Sequence, residues 1–259
     1  MDFSFAAKDQ VRLLDGGIGT WLASQDEAHA VAPHQACIKN PSLVSSLHQA
    51  YARAGAQALQ ANAWLALHLK EAEAERTVRA AADCLDFALE NSEGQPTPAR
   101  LLSMAPGLGT PPSGKVALLD QLSRFDAVVL ETLIDPWQLA WVAWLAEWAT
   151  IPVAVTLVPD NRPGSWDPAD FARRSQRSGA KAVGINCGYE DAPLAAAQAV
   201  AAMRQVVPGM ILMARPALWD RPAWLAAAKD CVAAGANWVG GCCGCAPEDI
   251  EQLAIHLRR

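Results

Sequence analysis

A parallel, eight-stranded (β/α)8 TIM barrel, formed as one domain over residues 1–259, is the fold this sequence predicts, on three observations. Eight short aliphatic or β-branched runs alternate with eight alanine-rich stretches of helical period, the pattern of repeated β-α units. The runs are apolar throughout, as in Ala127-Val128-Val129-Leu130, which suits strands covered on both faces. A length of 259 residues matches one barrel of this kind. The count of eight units favours closure over an open doubly wound sheet, the competing architecture.

The expected strands are residues 11–15, 56–61, 101–105, 127–131, 152–157, 182–186, 210–214 and 237–241, each ending at or near Gly, Pro, Asn or Asp. The expected helices are residues 42–54, 69–90, 116–124, 137–148, 167–178, 193–206, 221–234 and 247–257. Asn40-Pro41-Ser42, Asp167-Pro168 and Ala246-Pro247-Glu248 supply start signals, since a proline fits the first helical turn, where its missing N–H costs nothing. Residues 92–98, 107–114 and 159–165 have loop composition and read as barrel loops rather than domain boundaries. Trp137, Trp141, Trp144 and Trp148 recur at helical spacing and read as one helix face against the barrel or against a second subunit.

A net charge of -6 without any Lys/Arg cluster argues against nucleic acid or an anionic membrane as partner. Small-molecule substrates fit better. Met1-Asp2-Phe3-Ser4 does not begin a signal peptide, and the sequence has no long uninterrupted apolar run, so a soluble, cytoplasmic protein is expected. Seven cysteines do not make a paired disulfide framework, and reduced thiols are expected.

In a barrel the reacting groups sit at the carboxyl ends of strands. There the sequence has Asp15-Gly16-Gly17, Asn62, Gly107, Glu131-Thr132, Asn186-Cys187 and Gly241-Cys242-Cys243-Gly244. Three thiolates from two strand ends, Cys187, Cys242 and Cys243, suit one Zn²⁺ with an open fourth position, the layout of a catalytic site. Neighbouring strand residues point to opposite faces, so Cys242 and Cys243 reach one ion only if the chain turns sharply, which Gly241 and Gly244 permit. A zinc site of this kind activates a sulfur nucleophile for attack on a cationic methyl donor. Cys37, Cys84 and Cys231 have no ligand-spaced partner and read as buried hydrophobes, with Cys245 a bystander beside the metal. His29, His34, His48 and His68 show no metal-binding spacing, and His48 reads as helix packing or surface.

The segments Leu14-Asp15-Gly16-Gly17, Tyr51-Ala52-Arg53-Ala54-Gly55-Ala56, Glu131-Thr132, Gly184-Ile185-Asn186-Cys187 and residues 235–244 occur in the order seen in homocysteine S-methyltransferases. From about Leu13 to Ile250 the chain resembles that family. The resemblance implies a zinc-dependent barrel that methylates homocysteine to methionine, with Cys187, Cys242 and Cys243 as metal ligands. It further implies that Asp15 and Glu131 take the substrate's ammonium and that backbone amides near Gly16 and Gly17 take its carboxylate. Read without the resemblance, Asp15 is a turn or cap residue and Glu131 a structural ion-pair partner. Asn62, Trp64 and Asn186 complete the expected substrate-binding set, with the Trp64 ring facing an onium donor. Ala61-Asn62-Ala63-Trp64 departs from the family's Thr-Asn-Thr-Phe, and Ala214-Arg215-Pro216-Ala217 stands where a Tyr-Pro-Asn-type loop is usual.

The expected donor is S-methylmethionine or S-adenosylmethionine, because no corrinoid or folate domain follows in the chain. Two other readings stay open: a homocysteine-activating subunit working with a corrinoid protein, or methylation of another thiol or a selenol. From a different class, a non-catalytic barrel binding zinc or an amino acid also fits the shortened loops. A second copy of the chain is a further expected partner.

Overall fold

The computed structural model describes residues 11–25, 32–90, 97–160, 162–189 and 195–257. Eight parallel strands form one sheet: β1 (Arg12–Leu13), β2 (Ala58–Asn62), β3 (Ala99–Met104), β4 (Ala127–Leu133), β5 (Val153–Leu157), β6 (Ala182–Cys187), β7 (Ile211–Pro216) and β8 (Trp238–Val239). They are ordered β1-β8-β7-β6-β5-β4-β3-β2. A parallel bridge from Leu14 to Ala58 joins the two ends of this order. The Gln57 N–H donates to the Leu13 carbonyl at 2.7 Å, and the Leu13 N–H donates to Gln57 Oε1 at 3.0 Å. The expected (β/α)8 barrel is therefore the observed one, closed where the two ends of the sheet meet.

The barrel interior is filled by Leu14, Ala58, Leu101, Ala127, Val129, Ala154, Ala182, Ile211, Met213 and Trp238. Small residues on β2, β4, β5 and β6 leave room for Met213 and the Trp238 indole, so the tube is a packed core. Gly184 on β6 belongs to this economy of space, because a Cβ there would lie 2.0 Å from the Met213 carbonyl oxygen.

A second apolar layer lies between the strands and an outer ring of helices. These are α1 (Ile18–Ala23), α2 (Ala36–Lys39), α3 (Pro41–Arg53), α4 (Glu71–Glu90), α5 (Leu139–Trp148), α6 (Pro168–Arg177), α7 (Ala195–Val206), α8 (Arg221–Ala233) and α9 (Pro247–Leu257). The first two were not expected, since six and four residues are too few to show a helical period. Residues 193 and 194 of the sixth expected helix lie outside the described residues, as does His29.

Residues 116–124, expected as a helix, form a 3-10 helix over Ala117–Arg124 that buries Leu118, Leu119 and Leu122. Arg124 fastens it to α4 through ion pairs with Asp83 and Asp86. The expected start at residue 137 is likewise a 3-10 turn, Pro136–Gln138, closed by a capping box on Asp135. Only part of the expected tryptophan face packs inward: Trp141 and Trp144 are buried, Trp148 is half-buried and Trp137 is exposed, and the rings of the buried pair meet edge to face 5.7 Å apart. Their indole N–H groups donate to the carbonyls of Gly109 at 3.0 Å and Gly114 at 3.1 Å. The 107–114 loop is thereby tied to α5.

His48 is fully buried on α3, and neither ring nitrogen has a hydrogen-bond partner. Burial pushes its pKa down to about 4, so the folded protein carries it neutral. As pH falls from about 6.5 toward 4, the unfolded chain takes up a proton that the folded chain refuses, and up to about 3 kcal/mol of stability is lost. Asp15, pushed up to about 7, acts with the opposite sign over an overlapping range. The difference between wild type and His48→Leu isolates the histidine. Urea denaturation at pH 7.5 and pH 5 should show the variant losing less stability on acidification than the wild type; equal losses would refute a neutral buried His48.

Candidate active site

The strand ends on one face of the barrel open into a cavity of about 520 Å³. Its walls carry thiols from β6 and the residues after β8, Glu131 from β4, and Gln60 and Asn62 from β2. Ile18, Pro33 and Trp64 line the apolar side.

Cys187, Cys242 and Cys243 converge there, with all three Sγ atoms within 4.8 Å of one another. The Cys187 and Cys243 sulfurs lie 3.8 Å apart. Cys187 closes β6 in the left-handed region at φ 63°, an uncommon state for a residue with a Cβ. The chain after β8 turns back sharply, with the Cys245 N–H donating to the Cys242 carbonyl at 3.2 Å and Gly244 at φ 82°. That turn lets two neighbouring cysteines face one point. All seven cysteines are free.

Among the described residues this trio is the group placed to hold a metal ion. Without a cation the thiols stay protonated. The hydrogen bond with Cys242, followed by burial, pushes Cys187 up to about 11. The hydrogen bond from Cys187 favours the Cys242 thiolate, but Cys243 and burial outweigh it and push Cys242 up to about 12.

Asn186, at the end of β6, ties this corner together. Its Oδ1 accepts from the Thr132 N–H at 2.9 Å and from the Thr156 hydroxyl at 2.7 Å. Its Nδ2 donates to Thr132 Oγ1 at 3.0 Å and reaches the Cys242 sulfur at 3.8 Å. Among the described non-glycine residues, Thr132 is the other one at positive φ, 69°. The Asn186 amide thus holds one strained backbone position, Thr132, and one thiol in register.

The carboxylates divide unequally. Glu131 lines the cavity, with Oε1 accepting from the Ser103 hydroxyl and Oε2 3.6 Å from Arg215 Nη1. Asp15, expected to meet a ligand's ammonium, is fully buried and does not line the cavity. Its Oδ2 accepts from the Gln60 N–H at 2.7 Å and its Oδ1 from Arg215 Nη2 at 3.1 Å. Burial raises the Asp15 pKa to about 7 against the pull of Arg215. Arg215 itself stays protonated, because Asp15 and Glu131 outweigh the burial that disfavours its charge.

One of the two glycine amides is already taken. The Gly17 N–H is engaged by the Cys245 carbonyl at 3.0 Å, so Gly17 has no amide to offer a ligand. Gly16 and Gly17 instead allow two chain segments to touch: a Cβ on Gly17 would lie 2.4 Å from the Cys242 carbonyl oxygen, and one on Gly16 2.7 Å from that of Cys245. Tyr51 of α3 braces the contact, its hydroxyl donating to the Cys245 carbonyl at 2.8 Å. Asn62 donates to the Pro33 carbonyl at 2.6 Å and so holds the cavity rim, and Trp64 is partly exposed beside it. Arg215 escaped the sequence reading as a site residue. A lone arginine ending an apolar strand must be paired when buried, and Asp15 and Glu131 were the strand-end acids available.

Residues 12–110 and 114–257 match the model of the family described as homocysteine S-methyltransferase. The chain belongs to the homocysteine S-methyltransferase family. Solved structures of the homocysteine methyltransferase MmuM from Escherichia coli share the fold. The apo form matches at 21% identity and TM-score 0.75, covering 96% of each chain. The metallated form matches at 19% identity and TM-score 0.71, covering 96% of this chain and 97% of that one. A 2,3-dimethylmalate lyase, at 12% identity and TM-score 0.55 over 98% of this chain and 82% of its own, shares the barrel more distantly. No curated protein matches by sequence.

Gly17→Ala should displace the Cys242 carbonyl, lowering stability by about 1–3 kcal/mol and weakening Co²⁺ binding, followed by its thiolate absorption band. Gly19→Ala is the control, since the nearest atom to its Cβ would be Pro33 Cβ at 3.9 Å. Equal behaviour of the two variants would refute the close-approach argument.

Proposed function

We propose that this protein transfers a methyl group from a cationic donor to the sulfur of homocysteine, giving methionine, with one Zn²⁺ held by Cys187, Cys242 and Cys243. The observation that carries the reading is the convergence of those three sulfurs on the wall of the cavity at the strand ends, in a member of this family. The donor set fits zinc: Zn–S bonds of about 2.3 Å in a tetrahedron place sulfurs about 3.8 Å apart, the separation of Cys187 and Cys243. When bound, the ion supplies a Lewis acid that keeps the substrate sulfur ionised at neutral pH.

The remaining work belongs to the chain. Asn186 fixes Thr132 and Cys242 and so the direction the cluster faces. Glu131 is the wall carboxylate suited to the substrate's ammonium, and Asp15 acts from beneath through Arg215. The Trp64 ring, partly exposed on the cavity wall, offers a face for an onium donor. S-methylmethionine and S-adenosylmethionine are the donors proposed. The new S–CH3 bond forms as the donor's S–CH3 bond breaks, and the electron pair returns to the donor sulfur. A thiolate and a sulfonium thus become two neutral thioethers, and the charge lost on the way to products favours a water-poor pocket. Free thiols throughout suit a reducing compartment, and the cytoplasm is the location proposed. Among the described residues, no helix is long and apolar enough to cross a membrane.

Methionine formation from homocysteine and each donor, measured beside zinc content, tests the reading. Cys242→Ala should lose most of its zinc and more than about 100-fold in turnover; full turnover by metal-free protein would overturn the mechanism. With Cys187 near 11 and Cys242 near 12 in the empty site, zinc uptake at pH 7.5 should release about three protons. Calorimetry in buffers of different ionisation enthalpy reads that number, and a release of none would show that the thiols are not the ligands.

A further inference from the structure

Arg215 occupies the space between the two acids expected to hold an ammonium. One guanidinium nitrogen donates to Asp15 Oδ1 at 3.1 Å and to the Gly16 carbonyl at 3.0 Å, and the other lies 3.6 Å from Glu131 Oε2. Its single positive charge faces both carboxylates, so a bound ammonium meets less negative charge than two free acids would present.

The same corner has two donors with nothing to donate to. Arg215 is 4% exposed and Gln60 2% exposed, and both line the cavity. Arg215 Nε and Gln60 Nε2 are buried without any hydrogen-bond partner. A buried donor left unmet costs about 1–3 kcal/mol, and two such donors on residues that line one cavity call for an acceptor from the ligand. The backbone alternative is reduced, because the Gly17 N–H is already given to Cys245. Guanidinium and carboxylate are matched in charge and geometry.

Resting on the methyl-transfer reading above, we infer that Arg215 and Gln60 bind the carboxylate of the acceptor thiol and that this contact, rather than the ammonium, selects the acceptor. The protein therefore discriminates among thiols by the presence of an anionic group about three carbons from sulfur.

Three acceptors differing by one group test this on the zinc-loaded protein: homocysteine, 4-mercaptobutyrate, which lacks the amino group, and 3-mercaptopropylamine, which lacks the carboxylate. Binding is read by calorimetry without any methyl donor, so a failure of turnover bears on the methyl-transfer reading alone. 4-Mercaptobutyrate should bind within about tenfold of homocysteine, while 3-mercaptopropylamine binds at least about 30-fold more weakly than homocysteine. Tighter binding of 3-mercaptopropylamine than of 4-mercaptobutyrate would overturn the inference.

Arg215→Gln should weaken homocysteine, but it also leaves Asp15 unpaired and can impair folding. Gln60→Met leaves the ion network intact and should weaken homocysteine and 4-mercaptobutyrate about tenfold while leaving 3-mercaptopropylamine unchanged. In turnover the loss should fall on KM with kcat retained. An equal loss for all three thiols would assign Gln60 a purely structural role and overturn the proposal.

Discussion

The site depends on the close approach of two backbone segments, the residues after β1 and those after β8. Gly16 and Gly17 lie against the carbonyls of Cys245 and Cys242 at distances that admit no side chain. The Gly17 N–H donates to Cys245, and the Gly241 N–H donates back to Asp15 at 2.9 Å. These bonds close the barrel near its upper rim, where β1 and β8 are only two residues long. They also set the turn that brings Cys242 and Cys243 to face Cys187. Barrel closure and thiol geometry are one constraint, which is why Tyr51, far away in sequence, is used to brace it.

A second constraint is electrostatic. Burying Asp15 completely is tolerable only because Arg215 and the Gln60 N–H meet its two oxygens, since an unpaired buried carboxylate is strongly disfavoured. Arg215 in turn depends on both acids. The polar groups at and beneath the cavity wall are therefore a linked set drawn from β2, β4, β7 and the residues after β1, and no member can change its charge without disturbing the others. Asn186 plays the equivalent part with neutral groups, connecting β4, β5, β6 and the cysteine turn.

Much of this was readable from residue order. Apolar runs ending in Asp15, Asn62, Glu131, Asn186 and Cys242 announce strand termini that carry chemistry, because a fully covered strand has few other places for polar groups. The vicinal cysteines between glycines reveal a turn with a purpose. What was illegible depends on contacts distant in sequence. Asp15 reads as a turn or cap residue, or by the family resemblance as a ligand-facing acid, and neither reading contains its partner Arg215, 200 residues away. The Gly17 amide reads as free until the Cys245 carbonyl is found against it. Short elements failed for another reason: α1 and α2 are shorter than the window in which a period can be recognised, and residues 117–124 take a tighter helix than their apolar pattern distinguishes.

The indole bonds from Trp141 and Trp144 to Gly109 and Gly114 bear on how the rim moves. A run rich in glycine and proline, without regular structure of its own, would ordinarily fluctuate with the solvent around it. Fastened at two points to a helix that packs against β5, it is tethered to the scaffold on that side of the barrel mouth instead of hanging free.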